Sequence, residues 1–339
     1  MIISSIRFSI LPLFSACIIV LGTCLLPQWA LGEEEMLPAE LLQISATTAF
    51  SKYVFLVDKT ERKLLVYERD LETVRKIDEF PADIGKTMGP KVKANDFKTP
   101  EGIYFFQKKL TQPEIPFQTY GKMAFTTDYP NLFDRLQHKT GNGIWLHSIP
   151  ESVPLTRGSR GCVVIRNDVL AKAEQYIKFK ETPMIIYDKL TYIPKSEHDE
   201  KRKVLSQWLE NWRGSWASMN VESYMQNYHP AFTAPGFKNL AAWEKHKQSL
   251  KQKYQFMKIS LSQPFMIIHK DQLIVKTLQK YESDLHVDYG VKTIHALKIG
   301  NEYKIIHEDW VKADENGATA LAGTERFPNS ETPAPVKNP

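Results

Sequence analysis

Short apolar runs separated by polar turns fill residues 51–190. Residues 53–70 read YVFLVDKTERKLLVYERD, and the polar turn at Lys59 to Arg62 between two apolar segments predicts a β-hairpin. Further strands are predicted in KIDEFPADIGK, EGIYFFQKKL, GIWLHSI and PMIIYD, and a short helix in DVLAKAEQYIKF. The pattern therefore predicts a β-rich domain over residues 51–190.

The periodicity becomes helical after the polar stretch TYIPKSEHDEKRK at residues 191–203, which is expected to be a linker. Large apolar residues then recur at every fourth position: Val204, Trp208, Trp212 and Trp216. This spacing predicts a helix with a wide apolar face, and NVESYMQNYH and NLAAWEKHKQSLKQKY predict two more helices. Strands follow, with turns at Lys270-Asp271, Asp284 and Gly300-Asn301. Helices followed by an antiparallel sheet predict an α+β domain over residues 204–312.

The two ends of the chain have patterns of their own. Residues 1–32 combine Arg7, an apolar run and small residues at Ala30 and Gly32, which predicts a signal peptide and export to the periplasm. The alternative is an uncleaved membrane anchor, since the run is about as long as a spanning helix. Residues 33–50 are then expected to be an N-terminal linker, and residues 313–339 a disordered tail.

Composition narrows the classes of function. The formal net charge is +5 over 339 residues, without a basic block, so nucleic acid is not an expected partner. Neither a metal-ligand spacing nor a cofactor motif is found, so no metal and no cofactor are expected. The sequence carries no signal for the oligomeric state.

Cys162 is the single cysteine beyond the first 24 residues, so an exported, processed chain would have no intramolecular disulfide. His147 stands fifteen residues before it, at the end of a predicted strand, and Gly161 precedes the cysteine in a return loop. A nucleophilic thiol needs a base to take its proton, and His147 could supply one. The alternative is a small buried cysteine and a packed histidine. Spacing alone leaves both open.

The ordered series VDKTERKLLVYE, IGK, KTPEGIYFF, YPNLFDR, GIWLHS and SRGC resembles the catalytic domain of the L,D-transpeptidase (YkuD-type) family, over about residues 51–190. The resemblance implies a β-rich domain that cleaves a peptidoglycan stem peptide after its diamino acid, through a thioester on cysteine. It implies that Cys162 is the nucleophile and His147 the base, with the main-chain carbonyl of Ser148 orienting the imidazole. Gly161 and Cys162 would supply amides to the oxyanion.

Two departures from the family pattern concern arginines. The family's histidine before Gly-Cys is Arg160 here, and Val164 replaces a common arginine two residues after the cysteine, with Arg166 two residues further on. Guanidinium groups bind carboxylates in a bidentate fork, and the implied substrate carries several carboxylates. We therefore assign Ser159, Arg160 and Arg166 to substrate binding. The alternative is that the arginines are solvated loop residues.

Residues 204–312 resemble a nuclear-transport-factor-like cone, with helices leading into a curved sheet around a pocket. A catalytic domain of this type followed by such a cone resembles a subgroup of L,D-carboxypeptidases that trim tetrapeptide to tripeptide and so influence cell shape. The alternatives are an L,D-transpeptidase, which transfers the acyl group to an amine, and a non-catalytic wall-binding module. The expected partners are stem peptides, or a periplasmic protein bound by the cone.

Polar and aromatic residues of the second domain suggest what the cone does. His286, His295 and Asp309 could form a second active site, but pocket-lining or core positions are the favoured interpretation. An aromatic lining is expected from Trp243, Tyr254, Tyr281 and Tyr289. We expect this domain to position substrate and to contribute no catalytic group.

Overall fold

The computed structural model describes residues 34–70 and 73–313. The expected signal peptide, residues 1–32, and residues 314–339 of the expected tail lie outside this part of the chain. Within the described ranges, no helix has both the length and the apolar character that crossing a membrane requires.

The first half of the described chain is mainly strand. Its strands are β1 (Met36–Pro38), β2 (Leu41–Gln43), β3 (Tyr53–Asp58), β4 (Lys63–Asp70), β5 (Thr73–Pro81), β6 (Gly102–Thr111), β7 (Met123–Thr127), β8 (Trp145–Ile149), β9 (Val163–Arg166) and β10 (Pro183–Tyr187). Its helices are α1 (Phe117–Tyr120), α2 (Leu132–Leu136) and α3 (Asn167–Ala173), and α3 continues into a 3-10 turn at Glu174–Tyr176.

The second half begins with helices and ends in strands. Its strands are β11 (Tyr192–Pro194), β12 (Tyr228–Thr233), β13 (Met257–Leu261), β14 (Phe265–His269), β15 (Gln272–Ser283), β16 (Val287–Ile299) and β17 (Glu302–Lys312). Its helices are α4 (Lys195–Ala217), α5 (Val221–Met225) and α6 (Leu240–Lys253). The predicted succession of helices and strands is confirmed in this half.

The first domain, over residues 51–190, is built on one eight-stranded sheet with the order β5-β4-β3-β10-β6-β7-β8-β9. β10 runs parallel to β3 and β9 runs parallel to β8, while the other neighbours are antiparallel. The predicted hairpin is confirmed as β3 and β4, which pair Phe55 with Val66 across the turn. Arg62 in that turn has φ 53°, in the left-handed region that tight turns require.

The central strands β3 and β10 of this sheet are buried on both faces. Phe55 and Val57 of β3 face the core of their own domain, while Val54 and Leu56 face the other way, onto the second domain. The opposing surface is the apolar side of the second sheet, including Phe265, Ile267, Ile274 and Ile306. A strand buried on both faces has no polar alternation, which explains the unbroken apolar run at residues 53–57.

The second domain has a seven-stranded sheet with the order β12-β17-β16-β15-β14-β2, with β13 paired to β15. Its other face is covered by α4, α5 and α6, whose apolar residues, including Trp212 and Trp216, form a separate core. The turns predicted at residues 270–271 and 300–301 connect β14 to β15 and β16 to β17.

The two stretches expected to be linkers have regular structure instead. Residues 33–50 contain β1, which pairs with β11, and β2, which extends the second sheet beside β14. Residues 191–203 contain β11 and the first turns of α4, which begins at Lys195. The polar composition misled the prediction because those turns carry i,i+4 ion pairs such as Lys195 with Asp199. In addition, His198 is buried and its Nε2 lies 2.8 Å from the carbonyl oxygen of Leu41.

Candidate active site

The parallel pairing of β8 and β9 brings His147 and Cys162 to the same face of the sheet. Leu146 lies opposite Val163 and His147 opposite Val164, and Cys162 directly precedes β9. Paired residues point to the same face and the side-chain period is two, so the imidazole and the thiol are diagonal neighbours. The fifteen residues between them supply the connection that returns the chain alongside β8.

His147 is held by its own strand. The Nδ1–H donates to the main-chain carbonyl oxygen of Ser148 at 2.8 Å, which leaves Nε2 without a proton and able to accept one. The ring of Tyr120 packs edge-on against the imidazole, with 5.0 Å between ring centroids. The Ser148 hydroxyl accepts the Lys122 amide at 3.1 Å, which anchors the segment after α1. The expected hydrogen bond between the imidazole and the main-chain carbonyl oxygen of Ser148 is present in the structure.

Cys162 has a free thiol that lies 3.3 Å from the main-chain carbonyl oxygen of Gly143, to which it donates. The side chain is buried beside Trp145 and Val164. Burial raises the pKa of the Cys162 thiol to about 11, although the Trp145 amide and the charges of Lys91 and Arg160 act in the opposite direction. The thiol is therefore protonated at neutral pH.

The imidazole is also neutral at pH 7. Burial lowers the pKa of His147 to about 4, against the effect of the Ser148 carbonyl, and Arg157 lowers it further. The resting site is thus a thiol beside a neutral base and not a thiolate–imidazolium pair. Such a pair can react by general-base catalysis, in which the base takes the proton as the nucleophile attacks.

The return loop, residues 157–161, is fixed by Asp83. The Asp83 carboxylate accepts the Gly158 amide at 2.6 Å and the Ile84 amide at 2.8 Å, and it contacts the guanidinium of Arg62. The main chain of Asp83 also exchanges two hydrogen bonds with Val164, at 2.7 and 2.8 Å. Asp83 therefore holds the loop at both ends, before Ser159 and after Cys162.

Ser159 and Gly161 have structural partners that the sequence did not indicate. The Ser159 hydroxyl donates to the carbonyl oxygen of Cys162 at 2.6 Å and accepts the Gly161 amide at 3.0 Å. The Gly161 amide is therefore occupied within the loop, and the oxyanion role expected for it is not available in this conformation. Ser159, expected to bind substrate, is buried and shapes the loop instead.

Gly161 is needed for its conformation. Its φ is 128°, and a Cβ there would lie 2.7 Å from the carbonyl oxygen of Lys98. Any other residue would be strained in the backbone and would collide with main chain. The glycine before the cysteine therefore allows close contact between the return loop and the segment that contains Lys98.

Comparisons with known proteins identify this arrangement. The family model of the L,D-transpeptidase (YkuD) catalytic domain matches residues 52–186. The structure of Bd1075 from Bdellovibrio bacteriovorus is 59% identical to this chain, with a TM-score of 0.78, and the match covers 83% of this chain and 100% of Bd1075. The chain belongs to the L,D-transpeptidase family.

The second domain also has a match. The family model of the Cds6 C-terminal NTF2-like domain covers residues 204–309. The structure of the helical cell shape determining protein Pgp2 from Campylobacter jejuni is 24% identical, with a TM-score of 0.62, and the match covers 79% of this chain and 95% of Pgp2. This likeness shows that the fold with both domains is shared.

YafK of Escherichia coli K12 is similar to part of the chain. It is 28% identical over 120 residues, which make up 35% of this chain and 44% of YafK. The chain thus spans less than half the length of this curated relative.

The two arginines assigned to substrate have different surroundings in this L,D-transpeptidase-family domain. Arg160 is exposed, and its guanidinium has a long contact of 3.4 Å to the side-chain oxygen of Asn95. Arg166 instead donates to the carbonyl oxygens of Pro150 and Val153, at 3.2 and 2.8 Å. Arg166 therefore braces the loop after β8, which corrects its assignment to substrate. Arg160 keeps its donors available.

Sequence reasoning missed three residues that act on the thiol or the imidazole, Lys91, Tyr120 and Arg157. It also missed Asp83, which fixes the return loop. Lys91 is buried and donates to Asp96 at 2.6 Å. Neither Lys91 nor Tyr120 lies in the stretch that contains the histidine and the cysteine, so spacing within that stretch could not indicate them. Asp83 could have been found from the sequence, because it directly precedes IGK, residues 84–86, which is one of the elements of the family series.

The NTF2-like domain has a cavity of about 250 Å³ between its helices and its sheet. Trp243, Tyr254 and Tyr281 line it, as expected, whereas Tyr289 packs against Phe50 and Leu278 outside it. Among the described residues, the indole Nε1 of Trp216 and Trp310 and the hydroxyl of Tyr281 are buried without a hydrogen-bond partner.

Lys247 is a buried lysine of this cavity, as is Lys292, whose Nζ donates to Glu308 at 2.8 Å. The Nζ of Lys247 lies 4.2 Å from the ring centroids of both Trp216 and Trp243. Burial lowers the pKa of Lys247 to about 7, although Glu308 acts in the opposite direction. Lys247 and several indole and hydroxyl donors thus line the cavity, together with the carboxylate of Asp288.

The three residues considered as a second active site do not meet. His286 lies beside the cavity and is 2.7 Å from Asp288. His295 packs against Phe133 of the first domain, and the Asp309 carboxylate accepts the amide of Trp310. Their separation agrees with the favoured interpretation that they are pocket and core residues.

Proposed function

We propose that this protein is an L,D-carboxypeptidase that trims peptidoglycan tetrapeptide stems to tripeptides. The observation that carries the proposal is the placement of His147 and Cys162 on one face of the β8–β9 pair, with the imidazole oriented by the Ser148 carbonyl. Membership of the L,D-transpeptidase family supports the same substrate class.

The reaction begins when the Cys162 sulfur attacks the carbonyl carbon of the diamino acid. His147 Nε2 takes the thiol proton during the attack, because both groups start neutral. The C–N bond to the terminal residue then breaks, and the imidazolium gives its proton to the leaving amine. A thioester on Cys162 remains.

Water completes the proposed cycle. His147 takes a proton from the water as its oxygen attacks the thioester, and the C–S bond breaks to release the tripeptide. The imidazolium returns its proton to the departing sulfur, which regenerates the thiol. Water is favoured over a second stem peptide because Cys162 is only 8% exposed and His147 only 3% exposed as whole residues. A small acceptor reaches such a site with less rearrangement than a peptide amine does.

A product analysis tests the proposal. Purified protein is incubated with tetrapeptide muropeptides and the products are identified by mass. Tripeptide supports the carboxypeptidase, a crosslinked dimer indicates the L,D-transpeptidase alternative, and unchanged substrate favours the non-catalytic wall-binding module. Cys162→Ala is the control, and tripeptide formed by that variant would contradict the mechanism.

We further propose that the NTF2-like domain holds part of the stem peptide or a periplasmic protein partner in its cavity. The unpartnered donors and Lys247 support an acidic ligand, and stem peptides carry carboxylates. Pgp2, which shares the fold with both domains, is a helical cell shape determining protein. We propose that stem trimming by this chain likewise influences cell shape.

The periplasm is the proposed location because the pattern of residues 1–32 is that of a signal peptide. Cell fractionation with mass analysis of the N-terminus tests this. A protein that starts near Glu33 in the periplasmic fraction supports the proposal. An intact N-terminus in the membrane fraction supports the anchor alternative, and a cytoplasmic protein contradicts both.

A further inference from the structure

The loop of residues 86–98, here called the 86–98 loop, forms one wall of the active site. The Lys86 amide donates to the carbonyl oxygen of Ser159 at 3.0 Å, and the Thr140 amide donates to that of Val92, also at 3.0 Å. The loop therefore contacts the return loop on one side of Cys162. On the other side it contacts the segment that leads to Gly143, whose carbonyl oxygen accepts the thiol proton.

A buried lysine of the catalytic domain, Lys59, binds the main chain of this loop. Lys59 has a fully buried side chain, and its Nζ donates to the carbonyl oxygen of Gly89 at 2.9 Å. The same Nζ donates to Glu101 Oε1, also at 2.9 Å. Because a buried ammonium needs partners, the position of the Glu101 carboxylate helps to set where Lys59 can lie, and therefore where Gly89 lies.

The second oxygen of Glu101 belongs to a contact between the domains. Lys270, in the turn between β14 and β15, donates its Nζ to Glu101 Oε2 at 2.7 Å. Lys270 has φ 57°, and the amide of Ile268, two residues before it, donates to the main-chain carbonyl oxygen of Glu40 at 2.9 Å. The turn is thus fixed from its own side, and the lysine extends from it onto the catalytic domain.

We propose that Lys270 is a positioning residue for the active site, which acts through Glu101 and Lys59 on the 86–98 loop. The Lys59–Glu101–Lys270 bridge connects the NTF2-like domain to the wall of the site without placing any group of that domain near the thiol. Loss of Lys270 leaves Glu101 Oε2 without its donor, so the carboxylate can turn and Lys59 loses its fixed position relative to Gly89.

The bridge should affect geometry more than stability. The Lys270 side chain is 62% exposed, whereas that of Glu101 is 5% exposed. An ion pair with one exposed partner contributes little to the free energy of unfolding. A substitution in a contact network can nevertheless change how one site affects another. The change corresponds to a factor of roughly 2 to 30 in an equilibrium constant or a rate. The two effects can be measured separately.

The test uses the full chain and the variants Lys270→Met, Lys270→Arg and Lys298→Met. Lys298 is an exposed lysine of the same domain and serves as the matched control. Amide hydrogen exchange of residues 86–98 is measured together with the melting temperature and with kcat and KM on tetrapeptide. Lys270→Met should speed exchange in the loop and lower kcat, each by roughly 2- to 30-fold. KM and the melting temperature should change little. Lys270→Arg should restore the exchange rate of the loop and kcat to their wild-type values.

Several outcomes would overturn the proposal. Unchanged exchange in the 86–98 loop, or unchanged kcat, would mean that Lys270 positions nothing. Faster exchange throughout the chain with a matching fall in melting temperature would mean that the lysine only joins the domains. The kcat measurement rests on the proposed carboxypeptidase function. If the wild-type protein produces no tripeptide, that function fails, and loop exchange together with the alkylation rate of Cys162 still decides the bridge.

Discussion

The Nδ1–H of His147 donates to the carbonyl oxygen of Ser148 over 2.8 Å, so the hydrogen bond joins an imidazole to the next residue of its own strand. The contact fixes the tautomer and leaves Nε2 as the base. A main-chain carbonyl has no pKa in the working range and is present whatever side chain follows. The orientation of the proposed base therefore depends on the backbone of β8, together with the ring of Tyr120 that packs against the imidazole.

We expect Cys162→Ala to abolish turnover, because no thioester can form. His147→Gln should lower kcat by about 10²- to 10⁴-fold, the usual contribution of general acid–base catalysis. Glutamine keeps most of the buried volume, so thermal unfolding should show an intact fold. Product formation by mass is the measurement. Full activity in either variant would assign the chemistry to other residues.

The pH dependence should follow from the two neutral groups. With the pKa of Cys162 at about 11, alkylation by iodoacetamide should speed up about tenfold for each pH unit between 6 and 9. With the pKa of His147 at about 4, the base loses its accepting nitrogen only as pH falls through 4, so kcat/KM should show no acid loss near 6.5. A plateau in alkylation below pH 8 would instead reveal a preformed thiolate.

The two arginines should respond differently to substitution. Arg160→Ala should raise KM for tetrapeptide by about 10- to 100-fold with little change in kcat, as expected when a hydrogen bond to a charged group is lost. Arg160→Lys should give an intermediate KM, since an ammonium lacks the planar fork. Steady-state kinetics with all three proteins decides this, and an unchanged KM in Arg160→Ala would mean that Arg160 is only solvated.

Arg166→Ala should act on the fold instead. It removes hydrogen bonds of 3.2 and 2.8 Å to the carbonyl oxygens of Pro150 and Val153. We expect a loss of about 1–3 kcal/mol in the free energy of unfolding, with KM unchanged. Denaturant unfolding measures the first and kinetics the second. A raised KM with full stability would return Arg166 to the substrate site.

Local signals explain what the sequence could predict. The β3–β4 hairpin, the strand that carries His147 and the helix α6 each follow from runs and turns of neighbouring residues. The facing of His147 and Cys162 depends on the register of two strands connected within one stretch. The family motifs GIWLHS and SRGC contain His147 and Cys162, so both residues could be predicted from the sequence.

Contacts between distant residues explain what the sequence could not predict. Lys270 and Glu101 are 169 positions apart and carry no pattern that pairs them. The hydrogen bond from Ser159 to the Cys162 carbonyl depends on how the return loop closes, so the serine was assigned to substrate. The apolar surface shared by the two sheets was also missed, because an unbroken apolar strand shows that both faces are buried but not what covers them.

That shared surface decides how the role of the NTF2-like domain can be tested. A protein that ends near Ser196 would expose Val54, Leu56 and Ile103 of the catalytic sheet, which pack on Phe265 and Ile267 in the full chain. Apolar area of this kind in water favours aggregation or unfolding. Lost activity after truncation would then report on the fold and not on the cavity. A substitution inside the cavity of the full chain avoids the difficulty.

Lys247→Met is that substitution. Methionine keeps the length of the side chain between Trp216 and Trp243 and removes the buried charge, so the melting temperature should stay the same or rise. If the cavity holds an acidic part of the stem peptide, KM should rise about tenfold while kcat is unchanged, because the groups proposed to act on the scissile bond lie in the first domain. The wild-type KM should also rise as pH increases through about 7, where burial places the pKa of Lys247, and the variant should lose this dependence. Lys245→Met, an exposed change on the same helix, is the control. A lower kcat with constant KM in Lys247→Met would show that the cavity acts on the chemical step, and unchanged kinetics would mean that it binds something other than the stem peptide.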